Sequence, residues 1–349
     1  MIETLDHRYY HDPEIFNQEC DQLFRQHWWL VATEAELAVN GRYRALKLMR
    51  WPLLLVRDQA GELRGFYNLC RHRAGPLVDE GSGERRDFVC RYHGWRYASS
   101  GELQRAPGFK DGEIENPCQM GLIPIRVDSW NGMVFVCLDD DAPGLTEWLG
   151  DIVDIAADYD PVASMDFDGD TVKDAACNWK TYGDNSCEGY HVGMVHRALG
   201  SSMQRESVKI DAYENGHFVG FDVSYESGAD DSRAGKGFWI YKFPGFLLHF
   251  AEFAFNAETV FPIDATTVRL QRWFWSHADK AREHGIETDS IRPNSERVID
   301  EDISICERVQ INLESGAYPG GQLSPEQEPG TIYFQQLVRE SLARLAESK

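Results

Sequence analysis

None of the eight cysteines forms a Cys-x-x-Cys pair, none recurs at disulfide-like intervals, and no run of 18 or more apolar residues occurs anywhere. The first two absences argue against a secreted disulfide scaffold and for a reducing compartment, where a functional cysteine is a metal ligand before it is half of a bridge. The third excludes a membrane-spanning helix. Positive charge is scarce as well: 35 Lys and Arg face 57 Asp and Glu, a net charge of −22. A surface of that sign repels nucleic acid and anionic lipid, so neither is expected as a partner. The stretch from Met1 to Asp6 lacks a basic region leading into an apolar one, and a cytoplasmic location is expected. There is no internal repeat, no low-complexity segment and no G-x-G-x-x-G unit after a strand, which leaves no nicotinamide or flavin domain.

What is present is a chain of 349 residues, 42% hydrophobic and 12% aromatic, enough for a large core and more than one domain. Asp12-Pro-Glu14 suits a helix start, and Ile15, Phe16, Leu23, Phe24 and Trp28 follow at helical spacing, so a lead-in helix is expected from Asp12 to Trp29. From Gly41 to about Leu138 short apolar runs such as Leu53-Leu-Leu-Val56 and Met133-Val-Phe-Val136 alternate with Gly, Asp and Asn turns, the texture of a small all-β domain. Helical signals follow at 146–158 and 178–197, then β-like runs at 207–225, 237–255 and 259–277, then helices at 294–315 and 331–347. The fold class expected is α+β, with an antiparallel sheet covered by helices in the larger part. The division expected is 1–37 as an N-terminal segment packing on the larger domain, 38–140 as the β domain and 141–349 as the larger domain.

Two constellations carry chemistry. Cys70-Arg-His72 and Cys90-Arg-Tyr-His93 form C-x-H, seventeen residues, C-x-x-H. Each arm offers one thiolate and one imidazole, the inventory of a Rieske [2Fe–2S] cluster, in which two histidines replace two cysteines on one iron. Gly75-Pro76 and Gly94-Trp95 permit tight loops whose N–H groups can approach the sulfides. A structural Cys2His2 zinc site would use the same ligand types, although zinc motifs more often keep cysteines in one arm and histidines in the other.

The second constellation is His191 and His196. Two histidines and a carboxylate on one face of iron(II) are the ligand set of non-haem oxygenases. Residues five apart on a regular helix diverge by about 140°, so sharing one metal requires a distorted helix, which Gly193 would permit. The carboxylate is expected from Asp300-Glu-Asp302. Val298, Ile305, Cys306, Val309 and Leu313 all fall within about 60° of Asp302 on a helical wheel, which turns Asp302 inward and leaves Asp300 and Glu301 on a solvated face. An unpaired buried carboxylate is costly, and coordination to a cation explains it better than packing does.

The loops Cys70-Arg-His-Arg-Ala-Gly-Pro-Leu77 and Cys90-Arg-Tyr-His-Gly-Trp-Arg-Tyr97 resemble the cluster loops of Rieske oxygenase α subunits, often CRHRG and CxYHGW. The segment from Glu188 to His196, and Asp302 followed by Cys306-Glu-Arg-Val-Gln310, resemble the iron motifs of the same family, and the similarity runs from Tyr9 to the C-terminal helix. The resemblance implies His191, His196 and Asp302 as ligands of a mononuclear Fe(II), Cys70, His72, Cys90 and His93 as cluster ligands, and Asn185 as a neighbour of the iron. It also implies an NAD(P)H-dependent reductase partner, with or without a ferredoxin, and dioxygen as co-substrate of a small-molecule hydroxylation. An α3 homotrimer is implied too, in which Glu188 joins His191 of one chain to His72 or His93 of the next. The family often has an aromatic where Ser186 or Cys187 stands, and proline where Arg197 stands. The Glu-Gly-Tyr-His form resembles oxygenases of carnitine, choline or betaine more than arene dihydroxylases. Hydroxylation of an aromatic compound is the alternative, and a Rieske electron carrier is the rival of another class, against which the second ligand set argues. Trp239, Tyr241, Phe243, Phe246, Phe250, Phe253 and Phe255 are available to line a pocket, though alternation of this kind also suits ordinary sheet packing.

Overall fold

The computed structural model describes residues 2–110, 112–202, 208–224, 236–283 and 288–347. The fold is α+β, and the chain divides into two compact units, Arg25–Leu145 and Met1–Phe24 with Thr146–Lys349. The N-terminal segment therefore joins the larger unit only as far as Phe24. Strand β1 (Trp29–Thr33) belongs to the smaller unit because its five buried residues pair with a second buried run, Met133–Cys137.

In the smaller unit β1 is followed by β2 (Arg42–Leu48), β3 (Trp51–Arg57), β4 (Leu63–Tyr67) and β5 (Gly81–Glu84). A three-stranded sheet comes next, β6 (Asp87–Val89), β7 (Arg96–Ala98) and β8 (Leu103–Arg105), and then β9 (Pro124–Trp130) and β10 (Met133–Cys137). The main sheet has the order β1-β10-β9-β4-β3-β2-β5, antiparallel in every pairing, as the alternation of apolar runs and turns requires. The loop after β4 carries Cys70 and His72, and the loop between β6 and β7 carries Cys90 and His93. Leu54, Phe66, Phe88 and Tyr97 form the core beneath both loops.

Among the described residues the larger unit is built on a sheet of seven antiparallel strands. They are β11 (Asp166–Ala175), β12 (Lys209–Tyr213), β13 (Phe218–Ser224), β14 (Lys236–Lys242), β15 (Phe246–Ala251), β16 (Ala254–Asp264) and β17 (Thr267–Ser276), in the order β11-β17-β16-β15-β14-β13-β12. Strand β11 is absent from the sequence expectation. Its Asp and Gly residues are poor strand formers, and it forms as a mostly exposed edge strand held by nine register pairs to β17.

The helices that position the site are α1 (Pro13–Gln18), α2 (Trp179–Ser186), α3 (Val192–Val195), α4 (Arg197–Ser202), α5 (Thr288–Glu314) and α6 (Pro329–Glu347). The lead-in helix is shorter than expected. Asp12 caps α1 by accepting from Glu14 N–H at 2.8 Å, but the coil widens to a π-turn over Glu19–Leu23 and tightens over Phe24–Gln26 before Trp29 enters its strand. The widened turn holds Glu19, fully buried, 2.6 Å from Lys180 Nζ and 3.0 Å from Trp179 Nε1. Removing one partner of such a pair costs about 3–5 kcal/mol. Phe24, Phe243 and Phe334 surround Trp179, with ring centroids 5.5–5.8 Å away. One buried indole thus ties α2 to the N-terminal segment, to the turn after β14 and to α6. Among the described residues no helix is long and apolar enough to cross a membrane.

Candidate metal centres

The two loops of the smaller unit are built alike. Cys70 N–H donates to Gly75 C=O and Ala74 N–H donates back to Cys70 C=O; Cys90 N–H donates to Trp95 C=O and Gly94 N–H to Cys90 C=O. Each loop turns through a left-handed residue, Ala74 at φ 54° and Gly94 at φ 74°. A side chain at such a φ costs about 1–2 kcal/mol, so the first loop holds Ala74 against its own preference. Gly75 is required for a different reason: a Cβ there would stand 3.0 Å from Cys90 Sγ. Both thiols are buried, and burial pushes the Cys70 thiol up. The His72 and His93 rings meet edge to face with centroids 4.5 Å apart, and His72 stacks on Trp95 at 5.1 Å. Tyr97 Oη accepts from Arg71 N–H and lies 3.2 Å from Cys70 Sγ.

His72 Nδ1 is buried with no hydrogen-bond partner. An orphaned ring nitrogen beside two buried thiols is a costly arrangement for a protein core and an ordinary one for a cluster ligand. The donor set therefore fits a [2Fe–2S] group of the Rieske kind.

In the larger unit the stretch 178–197 is not the single distorted helix expected. Helix α2 ends at Ser186, and Glu188 sits in the following loop, where its Oε2 accepts from the N–H groups of Tyr190 and, at 3.1 Å, His191. His191 is the residue before α3, and His196 interrupts the chain after it at φ −105°, ψ 71°. That break, more than Gly193, swings His196 round to the same point as His191. Asp302 reaches it from α5.

The three side chains converge, with their ligand atoms all within 4.8 Å of one another. His191 Nε2 and His196 Nε2 are 3.2 Å apart, and Asp302 Oδ1 lies 2.9 Å from the second and 3.5 Å from the first. Asn185 Nδ2 donates to the same Asp302 oxygen at 2.7 Å. The outer ring nitrogens are held as well, His191 Nδ1 at 2.5 Å from Glu188 Oε1 and His196 Nδ1 at 2.7 Å from Glu301 Oε2. Burial opposes charge on His191, yet the Asp302 and Glu188 carboxylates outweigh it and push the ring up to about 9. Burial would raise the Asp302 carboxyl, but hydrogen bonds from both histidines hold it down to about 2. A site that draws positive charge so strongly, with both Nε2 atoms facing one carboxylate, fits a divalent cation.

Glu301 corrects the helical-wheel expectation: its side chain is partly in solvent, but its carboxylate turns back to partner His196. Val309, counted there on the inner face, is 41% exposed. Asp300 is on the surface, bound to Lys173 at 2.5 Å.

Between the helices and the sheet lies a cavity of about 140 Å³ that opens onto His191, His196 and Asp302. Of the aromatic residues expected as lining, Trp239, Phe250 and Phe253 reach it. Tyr241, Phe243, Phe246 and Phe255 are buried in the core instead, Tyr241 with its hydroxyl donating to Pro244 C=O. Phe221, Asn256 and Arg272 also line the cavity, and no motif had marked them.

Residues 162–344 match the model of the ring hydroxylating alpha subunit catalytic domain, and residues 27–124 match that of the Rieske [2Fe-2S] domain. The chain belongs to the ring-hydroxylating oxygenase α-subunit family. It is an enzyme of the Rieske non-haem iron oxygenase class, with a [2Fe–2S] domain and a mononuclear iron site of His191, His196 and Asp302. Choline monooxygenase from Atriplex hortensis is 27% identical over 334 residues, covering 93% of this chain and 75% of the relative. The carnitine monooxygenase oxygenase subunit of Acinetobacter baumannii is 26% identical over 357 residues, covering 95% and 92%. A solved quaternary ammonium Rieske monooxygenase, connected with carnitine oxidation, superposes with a TM-score of 0.86 at 23% identity, covering 97% of this chain and 95% of that one, a likeness of fold. Where this oxygenase departs from the family pattern, Ser186 Oγ donates to Tyr182 C=O and lines the cavity, Cys187 is fully buried, and Arg197 opens α4 with an exposed side chain.

Proposed function

We propose that this chain is the terminal oxygenase of a cytoplasmic multicomponent system that hydroxylates a small quaternary ammonium compound, by monooxygenation or oxidative C–N cleavage. A partner reductase, with or without a ferredoxin, supplies electrons from NAD(P)H. The observation that carries this reading is the wall of Trp239, Phe250 and Phe253 in the cavity onto which the iron triad opens. Aromatic faces attract an onium group with about 0.5–2 kcal/mol each, more when water is excluded. The names of the choline and carnitine monooxygenase relatives support the same choice.

In this reading Cys70, His72, Cys90 and His93 hold the cluster. When bound, the cluster would take up electrons and the mononuclear iron would activate dioxygen. The chain's own residues do the rest. Glu188 and Glu301 accept from the outer ring nitrogens and so turn both Nε2 atoms inward in one tautomer. Asn185 holds the Asp302 carboxylate in place, and the aromatic wall keeps bulk water from the reacting group. The division of labour follows the two units, electron entry in the smaller and oxygenation in the larger.

The proposal extends to an α3 homotrimer in which Glu188 connects His191 to the partner subunit's His72 or His93. Exposed apolar side chains beside each centre support it, Tyr190 and Met194 next to His191, and Tyr92 and Phe109 next to the cluster histidines. The test of function is substrate-dependent oxygen uptake with a surrogate reductase over a panel of quaternary amines and aromatic acids. Uptake with aromatic acids alone overturns the reading. For Glu188→Gln, both metal centres should stay loaded while turnover falls steeply; wild-type turnover, or a monomeric native mass, overturns the trimer.

A further inference from the structure

Among the described residues Arg272 is the only arginine or lysine that lines the cavity. It stands directly across the strands from Glu258, and its Nε lies 2.7 Å from Glu258 Oε2 in a pair that is almost wholly buried. Glu258 is held in turn by Tyr182, whose hydroxyl donates to Oε1 at 2.9 Å. The guanidinium also donates from Nη2 to Ser295 Oγ at 3.1 Å and to Asn256 Oδ1 at 3.0 Å. Asn256 is two residues before Glu258 on β16, hence on the same face of the sheet.

This contact settles the orientation of the Asn256 amide. A guanidinium has donors only, so the atom facing it must be the carbonyl oxygen, and Nδ2 is turned the other way. Nδ2 makes no hydrogen bond among the described residues, and it is not a buried orphan. Asn256 lines the cavity and ends a row that crosses four strands, Phe221, Trp239, His249 and Asn256, each directly opposite the next and each lining the cavity. Trp239 stacks on His249 with centroids 5.6 Å apart. The row is an aromatic wall that finishes in one amide donor. The buried arginine pulling on Oδ1 polarises that amide and strengthens its N–H groups as donors, most of all toward an anion.

We propose that Asn256 determines substrate specificity: locked by Arg272, it presents Nδ2 as a donor to a carboxylate carried by the substrate beside the onium group that packs on Trp239. The proposal rests on the quaternary ammonium reading above. It makes the enzyme selective for onium compounds that carry a carboxylate over those that end in a hydroxyl. Replacing Nδ2 by oxygen reverses the preference, because a second acceptor then faces the carboxylate while a hydroxyl can donate to it.

The experiment is anaerobic calorimetry on the holoenzyme without reductant, so that binding is read with no turnover, using carnitine and choline as probes. Wild type is expected to bind carnitine more tightly than choline. Asn256→Asp, which keeps an acceptor for Arg272, should weaken carnitine by about tenfold or more and leave choline unchanged or tighter. Asn256→Leu, which removes the donor without adding charge, should weaken carnitine alone. The cluster spectrum and thermal unfolding midpoint report whether each variant is folded. Equal effects on both probes, or none, in folded variants overturn the role of Asn256 while leaving the quaternary ammonium reading intact. If wild type binds neither probe, that reading fails, and Asn256→Asp is titrated with whichever carboxylate from the oxygen-uptake panel is active. An unchanged affinity there overturns Asn256 as well, and a tenfold loss upholds its amide as the carboxylate donor while removing the onium group from the proposal.

Discussion

Glu301→Ala removes a carboxylate that lies outside the ligand set but 2.7 Å from the Nδ1 of a ligand. The His196 side chain is 2% exposed and that of Glu301 35%, so the bond is half in solvent and worth less than a buried one. Loss of an outer partner of a metal-bound histidine weakens metal binding by roughly 10–100-fold. The exposure of Glu301 points to the lower end, about tenfold, or ~1.4 kcal/mol. Glu301→Gln keeps an uncharged acceptor and should lose only part of that. Asp300→Ala, one residue away, breaks a surface pair with Lys173 and should change iron affinity by less than twofold, since its carboxylate faces away from the triad. The assay is anaerobic Fe(II) titration of protein depleted of mononuclear iron, in competition with a colorimetric chelator, with the visible spectrum confirming an intact cluster. An affinity within twofold of wild type for Glu301→Ala, or equal losses for Glu301→Ala and Asp300→Ala, would refute the reasoning.

Cys70→Ser and His93→Ala should each abolish the visible absorption of the cluster, and a full spectrum in either would remove that residue from the ligand set. Asp302→Ala should lose mononuclear iron and substrate-dependent oxygen uptake while the cluster spectrum stays; iron retained at wild-type stoichiometry counts against the triad. Asp184 is half-buried, accepts from Tyr10 Oη at 2.5 Å and Gln335 Nε2 at 2.9 Å, and is pushed up by desolvation from 3.8 to about 7. The unfolded chain gives up this proton first, so stability falls as pH rises from about 4 through about 7. Asp184→Asn, which can accept from Gln335 and donate to Tyr10, should gain on wild type between pH 5 and pH 8 in urea unfolding, and an equal difference at both pH values rejects the assignment.

The ligand inventory of both centres was legible in the sequence because it is local. Each cluster loop carries its cysteine and histidine within three residues, and a helix of known period turns Asp302 inward from its neighbours whatever lies opposite. Periodicity orients a residue about its own axis only. It could not tell that His196, 105 residues before Glu301, leaves its helix at a broken turn and brings Nδ1 to that carboxylate. The run 178–197 reads as one helix because propensity is additive along the chain, whereas its division into α2, α3 and α4 answers to the convergence on Asp302. Strand alternation marked Trp239 and Tyr241 alike, since both face the same side of the sheet. Only tertiary packing decides that Trp239 meets the cavity while Tyr241 meets Phe334 on α6. Strand β11, rich in Asp, forms because β17 offers it a partner, and Asn256 becomes a directed donor because Arg272 from the neighbouring strand claims its oxygen. Residue types and short spacings settle which chemistry a chain can hold. Contacts between residues far apart in sequence settle where each group points.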